Sequence, residues 1–140
     1  MVSWEDRLTE AGFRITAPRR AVIQVLQEAD APLAPQDILE RGGGLHTELG
    51  LTTVYRTVAL LAELDLVRRV HWSDGCHAYI AASPGHRHHV VCRRCGRTVE
   101  FPGSEEVAAL IADVERATDY RIEEHLLQLF GLCPLCRDDE

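Results

Sequence analysis

The 140-residue chain contains no lysine; all fifteen of its basic residues are arginine. The Gly42–Gly44 run therefore cannot be a phosphate loop, because it lacks both the lysine and the spacing of that motif. No apolar run approaches the ~20 residues of a membrane span. The opening MVSWEDRLTE is acidic and amphipathic rather than a signal peptide. No nucleophile–base pair, paired-carboxylate motif, internal repeat or low-complexity tract stands out. These absences argue for a soluble, cytoplasmic protein that spans no membrane and is not an enzyme.

Apolar residues make up 46% of the chain, enough for a packed core. The length suits one ordinary domain or two small ones. A net charge of −7 argues against nucleic acid, but it is unevenly spread. Residues 1–70 hold eight arginines against ten acidic residues, whereas residues 71–140 hold seven against twelve. Arg14, Arg19 and Arg20 fall within seven positions, and partner binding follows local potential rather than the total.

Periodicity organises the first half. Residues 4–11 read as a short helix. In FRITAPRRAVIQVLQEAD, Thr16 can cap, Pro18 suits a first turn, and Val22, Ile23, Val25 and Leu26 form a helical stripe. A third helix over 34–41 is stopped by the glycines at 42–44. LTTVYRTVALLAELDLV is a fourth, capped by Thr52 or Thr53, with Val54, Val58, Leu61, Ala62 and Leu64 inward. Two strand-like runs then flank Ser73-Asp74-Gly75, a hairpin turn signal. Helices followed by a hairpin is the winged helix-turn-helix order, in which one helix enters the major groove. After Pro84 the texture changes. HHVVC and RTVEF read as strands, 104–117 as a helix with Val107, Leu110, Ile111 and Val114 inward, and YRIEEHLLQLFGLC as a last strand. This second segment has too small a core to stand alone easily, and needs zinc, a dimer partner or both. The expected fold is α+β: a winged-helix DNA-binding domain over 1–82, a hinge at 83–85, and a small α/β dimerisation domain over 86–140.

Four of the five cysteines form two CxxC pairs, Cys92/Cys95 and Cys133/Cys136. Two thiolate pairs about forty residues apart can close a tetrahedral sulfur site on zinc, with no position left for water or substrate. That pattern marks a structural site that supplies folding energy. A redox CxxC is the rival, but Cys92 follows a strand and not a helix start, where a thiol pKa would be lowered. His86 and His88 alternate and share a strand face, His89 points the other way, and His125 lies on the last strand. Imidazole suits zinc, iron and nickel alike; ordinary surface histidines are the plain alternative. His71 faces Cys76 or His77 across the hairpin, and a thiolate beside imidazoles favours zinc over iron(II). Arg14, Thr16, Arg19, Arg20, Thr52, Thr53, Tyr55 and Arg56 suit phosphate anchoring with base-edge reading, although a solvated helix face has a similar composition.

From Leu8 to Cys136 the chain resembles the ferric uptake regulator family of metal-dependent bacterial repressors. The resemblance is carried by GFRITAPRRAVIQVL, GLTTVYRTVALL, HHVVCRRCGRTVEF and HLLQLFGLCPLC. It implies a homodimer that binds a palindromic operator in double-stranded DNA when loaded with metal. By that resemblance Cys92, Cys95, Cys133 and Cys136 match structural zinc ligands. Tyr55 and Arg56 match the recognition helix, and Arg19 a backbone-contacting arginine. His86, His88 and His125 match three ligands of a dimerisation-domain site. The family's fourth ligand is a helical glutamate whose position here is Ala108, so Glu105 is the substitute, with Glu106 the alternative. Iron-type sensory positions read Pro32, Ile80, Arg87 and His89, of which only His89 can be a ligand. His71, Cys76 and His77, with His89 or Glu100, form the candidate sensory set. The leading expectation is a zinc-responsive repressor of metal uptake genes, holding structural zinc and a second divalent metal, zinc or iron. A repressor of the same family answering iron or another divalent metal is the alternative. A zinc enzyme built on His86, His88 and His125 is the reading from another class.

Overall fold

The computed structural model describes residues 3–72, 76–82 and 87–138. The expected hairpin turn Ser73-Asp74-Gly75, the expected hinge at 83–85 and the candidate ligand His86 lie outside the described residues. The chain divides into two compact units, residues 1–82 and 83–140.

The first unit opens with α1 (Trp4–Glu10), capped by Ser3, whose Oγ accepts from Asp6 N at 3.0 Å. In α2 (Ala17–Glu28) Thr16 is the cap, its Oγ1 accepting from Arg19 N at 3.3 Å. The expected stripe of Val22, Ile23, Val25 and Leu26 is buried. α3 (Pro35–Gly43) runs two residues past its expected end. Gly42 stays helical and is buried against Leu49, where a Cβ would sit 2.5 Å from Leu49 Cδ2. In α4 (Leu51–Glu63) the expected threonine cap is corrected: Gly50 is the N-cap and makes no side-chain bond. Thr52 and Thr53 lie inside the first turn, where their backbone is already helical and a capping oxygen has no role.

β1 (Val67–His71) and β2 (His77–Ala81) pair antiparallel, from Val67 with Ala81 to His71 with His77. Leu33 bridges the other edge of β2 through reciprocal bonds with Tyr79, at 2.9 and 2.8 Å. The core beneath is continuous, with Leu8, Val22, Leu26, Ile38, Val54 and Leu61 at 0% exposure. These residues come from all four helices, so each amphipathic stripe buries itself against the others.

The second unit holds β3 (Arg87–Cys92), β4 (Thr98–Pro102), α5 (Glu105–Thr118), β5 (Gln128–Gly131) and the short α6 (Pro134–Arg137). Its sheet has the order β4-β3-β5, β3 pairing antiparallel with β4 and parallel with β5. Two expectations are corrected. The last strand covers only 128–131, because β3 offers β5 a ladder only from His89 to Cys92. His125 thus precedes the strand and is exposed. The α5 face of Val107, Leu110, Ile111 and Val114 is not packed inward: α5 has no buried residue, and Leu110 is 61% exposed. The unit has one thin sheet, one long helix and the four-residue α6, and among the described residues no second layer within it covers that face.

Candidate metal centre and nucleic-acid interface

The parallel pairing of β3 with β5 brings the two CxxC segments together. Cys92 ends β3 opposite Gly131, and Arg93 N donates to Gly131 O at 2.8 Å. The first turn then folds back, with Gly96 at φ +79°, Gly96 N donating to Cys92 O and Cys92 N to Arg97 O. Glycine takes that left-handed conformation without strain. Two residues past β5, Cys133 is the N-cap of α6, followed by Pro134. All four Sγ atoms lie within 4.8 Å of one another, and Cys95 and Cys133 are 3.7 Å apart. Zn–S bonds of 2.3 Å in a tetrahedron require sulfurs about 3.8 Å apart. The donor set therefore fits a structural zinc.

The thiols are electrostatically uneven. Backbone N–H groups of Cys95 and Cys133 donate towards the Cys92 sulfur and lower its pKa to about 5. The Cys136 N–H lowers that of Cys133. Cys136, against the Cys133 sulfur, is pushed up to about 12. Four crowded sulfurs do not all ionise together without a cation among them. Arg94, between the first two cysteines, reaches the second pair and donates from Nη1 to Cys136 O at 3.1 Å; nothing in the sequence signalled that link. The second CxxC does open a helix, the geometry associated with redox pairs. Its convergence with the first pair makes it part of a quartet instead.

The histidines separate as strand alternation requires. His88 and His89 are both buried, on opposite faces of β3. His88 meets His125 at 5.3 Å between ring centroids. His125 also lines a cleft of about 530 Å³ with Glu105, Val107, Ala108 and Ile111. His89 faces Glu100 across β3–β4, with Nε2 3.5 Å from Oε1. In the hairpin His71 lies opposite His77, with centroids 4.6 Å apart. Burial, the neighbouring His77 and Arg69 lower the His71 pKa. Cys76 is exposed, and its carbonyl accepts from Trp72 N at 2.8 Å. Among the described residues the cysteine quartet is the only group of three or more such side chains whose ligand atoms converge.

The basic set also converges. Arg14, Thr16, Arg19, Thr53 and Arg56 line a cleft of about 410 Å³ between the start of α2 and the first turns of α4. Arg19 is held there by a bond from Nη1 to Arg14 O at 2.8 Å. Thr52, Tyr55 and Arg56 are exposed on α4. Arg20 does not line this cleft; its Nε pairs with Glu5 of α1 at 2.8 Å. Gly12, at φ +92°, and Phe13 also line the cleft, and the sequence pattern gave no sign of them.

No helix among the described residues is long and apolar enough to cross a membrane. Residues 10–130 match the Ferric uptake regulator family. The chain is 35% identical over 130 residues to the zinc uptake regulation protein of Mycobacterium tuberculosis, covering 93% of this chain and 99% of that protein. It is 31% identical over 136 residues to the ferric uptake regulation protein of Shigella flexneri, covering 95% and 91%. A solved zinc uptake regulator complexed with zinc and DNA shares the fold, with a TM-score of 0.76, 21% identity, and coverage of 96% and 91%. Relatives named for iron and for zinc thus match at comparable identity, and the open-site enzyme reading falls away. With its helical unit ending in a hairpin and its small α/β unit carrying the cysteines, the chain belongs to the ferric uptake regulator family of metal-responsive transcriptional regulators.

Proposed function

We propose that this chain is a zinc-responsive repressor of metal uptake genes, acting in the cytoplasm as a homodimer on a palindromic operator. The observation that carries the DNA reading is the cleft in which Arg14, Arg19, Thr53 and Arg56 converge beside the exposed Thr52 and Tyr55. Arginines at a helix start anchor phosphates, while side chains on the following helix read base edges. The apolar face of α5, with Leu110 exposed, supports dimerisation through the second unit.

The cysteine quartet would hold a structural zinc, which supplies folding energy and crosslinks β3 to the segment after β5. Donors for a regulatory ion fall into three groups. Cys76, His71 and His77 belong to the hairpin. His89 and Glu100 face each other on the sheet. His88 and His125, with Glu105 on the cleft that His125 lines, form the last, to which the resemblance would add His86. A regulatory ion shifts the population of DNA-competent dimer only as far as its affinities for the competent and incompetent arrangements differ. Zinc is favoured by the absence of ligands at Pro32, Ile80 and Arg87, the iron-type sensory positions, and by the 35% identical zinc uptake relative.

The test is operator binding by the chelated dimer, its cysteine sites kept zinc-loaded, on reloading with zinc, iron(II), manganese or nickel. Zinc is expected to raise affinity at the lowest free-metal concentration. Arg56→Ala should weaken the loaded complex by ~1–3 kcal/mol without changing metal content. Affinity raised by iron(II) and not by zinc would overturn the zinc assignment in favour of the iron reading, which the Shigella relative supports.

A further inference from the structure

The hairpin holds two imidazoles in a fixed relation. β1 and β2 place His71 directly opposite His77, so the ladder itself sets the separation of their Cβ atoms. The ring centroids are 4.6 Å apart with planes at 77°, and neither ring is fully buried. Two imidazoles sharing an ion at 2.0–2.1 Å have centroids about 3.2 Å from it; the right angle of a square or octahedral ion separates them by about 4.5 Å, and the tetrahedral angle of zinc by about 5.2 Å. The observed 4.6 Å is close to the first of these.

We propose that His71 and His77 form a two-imidazole site, contained within the hairpin, that binds one borderline divalent cation of the zinc, nickel or copper class, with water completing its coordination. Arg69 lies two residues before His71 and on the same strand face. Its charge repels any cation held by electrostatics alone, so the site excludes magnesium and calcium and takes ions that bond to nitrogen. Cys76 is not a ligand. Strand alternation turns its side chain away from the His77 face, and its carbonyl accepts from Trp72 N. The site refines the hairpin donors of the regulatory reading, and it stands or falls without DNA binding.

The test uses the full chain, zinc-loaded at its cysteines, with residue-resolved NMR and paramagnetic nickel(II) as the probe. An equimolar addition is expected to broaden the Val70, His71, His77 and Ala78 amides. His77→Asn, and independently His71→Asn, should abolish that broadening in a chain whose other signals are unmoved. Cys76→Ser and His125→Asn should retain it, and magnesium should produce no change. Hairpin signals unaffected by nickel(II), broadening that survives in both histidine variants, or broadening lost in Cys76→Ser or His125→Asn would overturn the proposal.

Discussion

The two units reach a folded state by different means. The first buries side chains from four helices and a hairpin around Leu8, Leu26, Ile38 and Leu61. In the second, the buried apolar positions among the described residues are Val91 and Cys92, at one end of β3, and α5 buries none. A hydrophobic core scales with enclosed volume, and a sheet of three strands with one long helix and one short one encloses little. The first unit is held by solvent exclusion. The second brings four cysteines together and leaves the apolar face of α5 exposed.

The largest effect expected from breaking this asymmetry is metal removal. Apparent zinc-binding free energies in small zinc-folded peptides reach about 10–16 kcal/mol. Chelation, or Cys133→Ser with Cys136→Ser, should unfold the second unit and leave the first intact. Trp4 and Trp72 are the two tryptophans of the chain, and both lie in the first unit. Their fluorescence melt should therefore persist while far-ultraviolet circular dichroism loses amplitude. Simultaneous loss of both signals would show that the first unit is not self-sufficient.

A matched pair of leucines gives a smaller effect. Leu61→Ala removes a side chain with 0% exposure and should cost 2–5 kcal/mol, a roughly typical range for core truncation. Leu110→Ala removes one that is 61% exposed and should change monomer stability by no more than about 0.5 kcal/mol. Denaturant melts of dilute, monomeric protein would separate the two, and equal losses would mean that α5 is packed within the chain after all. The smallest contrast is between helix caps. Thr16→Ala should cost ~1 kcal/mol. Ser104→Ala should cost less, because Ser104 Oγ accepts from Val107 N at a longer 3.4 Å. Thermal melts of the two variants, followed by the tryptophans for the first and by circular dichroism for the second, would rank them.

The same asymmetry governs how far the structure could be read from the sequence. Where burial decides, the stripe is visible: Val22, Ile23, Val25 and Leu26 sit where their spacing predicts. In the second unit the period of Val107, Leu110, Ile111 and Val114 correctly indicated a helix, but periodicity does not say whether the covering layer belongs to the same chain. Strand ends depend on a partner, so the short β5 was not visible in YRIEEHLLQLFGLC. The cap of α4 was missed because Gly50 acts through backbone freedom and leaves no side-chain signature. The cysteine quartet was legible from spacing alone, since few other roles call for two CxxC pairs. Arg94 was not legible, because its reach to Cys136 O exists only after the sheet has brought the two pairs together.

The parallel β3–β5 pairing also imposes an order in time. Antiparallel β3 and β4 are joined by a short turn and can form as soon as both are synthesised. β5 must wait for α5 and the stretch after it, and such non-local pairings are slow to close. On a ribosome the first unit emerges early and can fold while the second is still being made. Cys92 and Cys95 then wait some forty residues for their counterparts. A chain interrupted before residue 133 would carry a complete first unit and an open half-clasp. Coupling the last fold to metal capture would leave such fragments without a stable second unit, and so without the paired surface an operator requires.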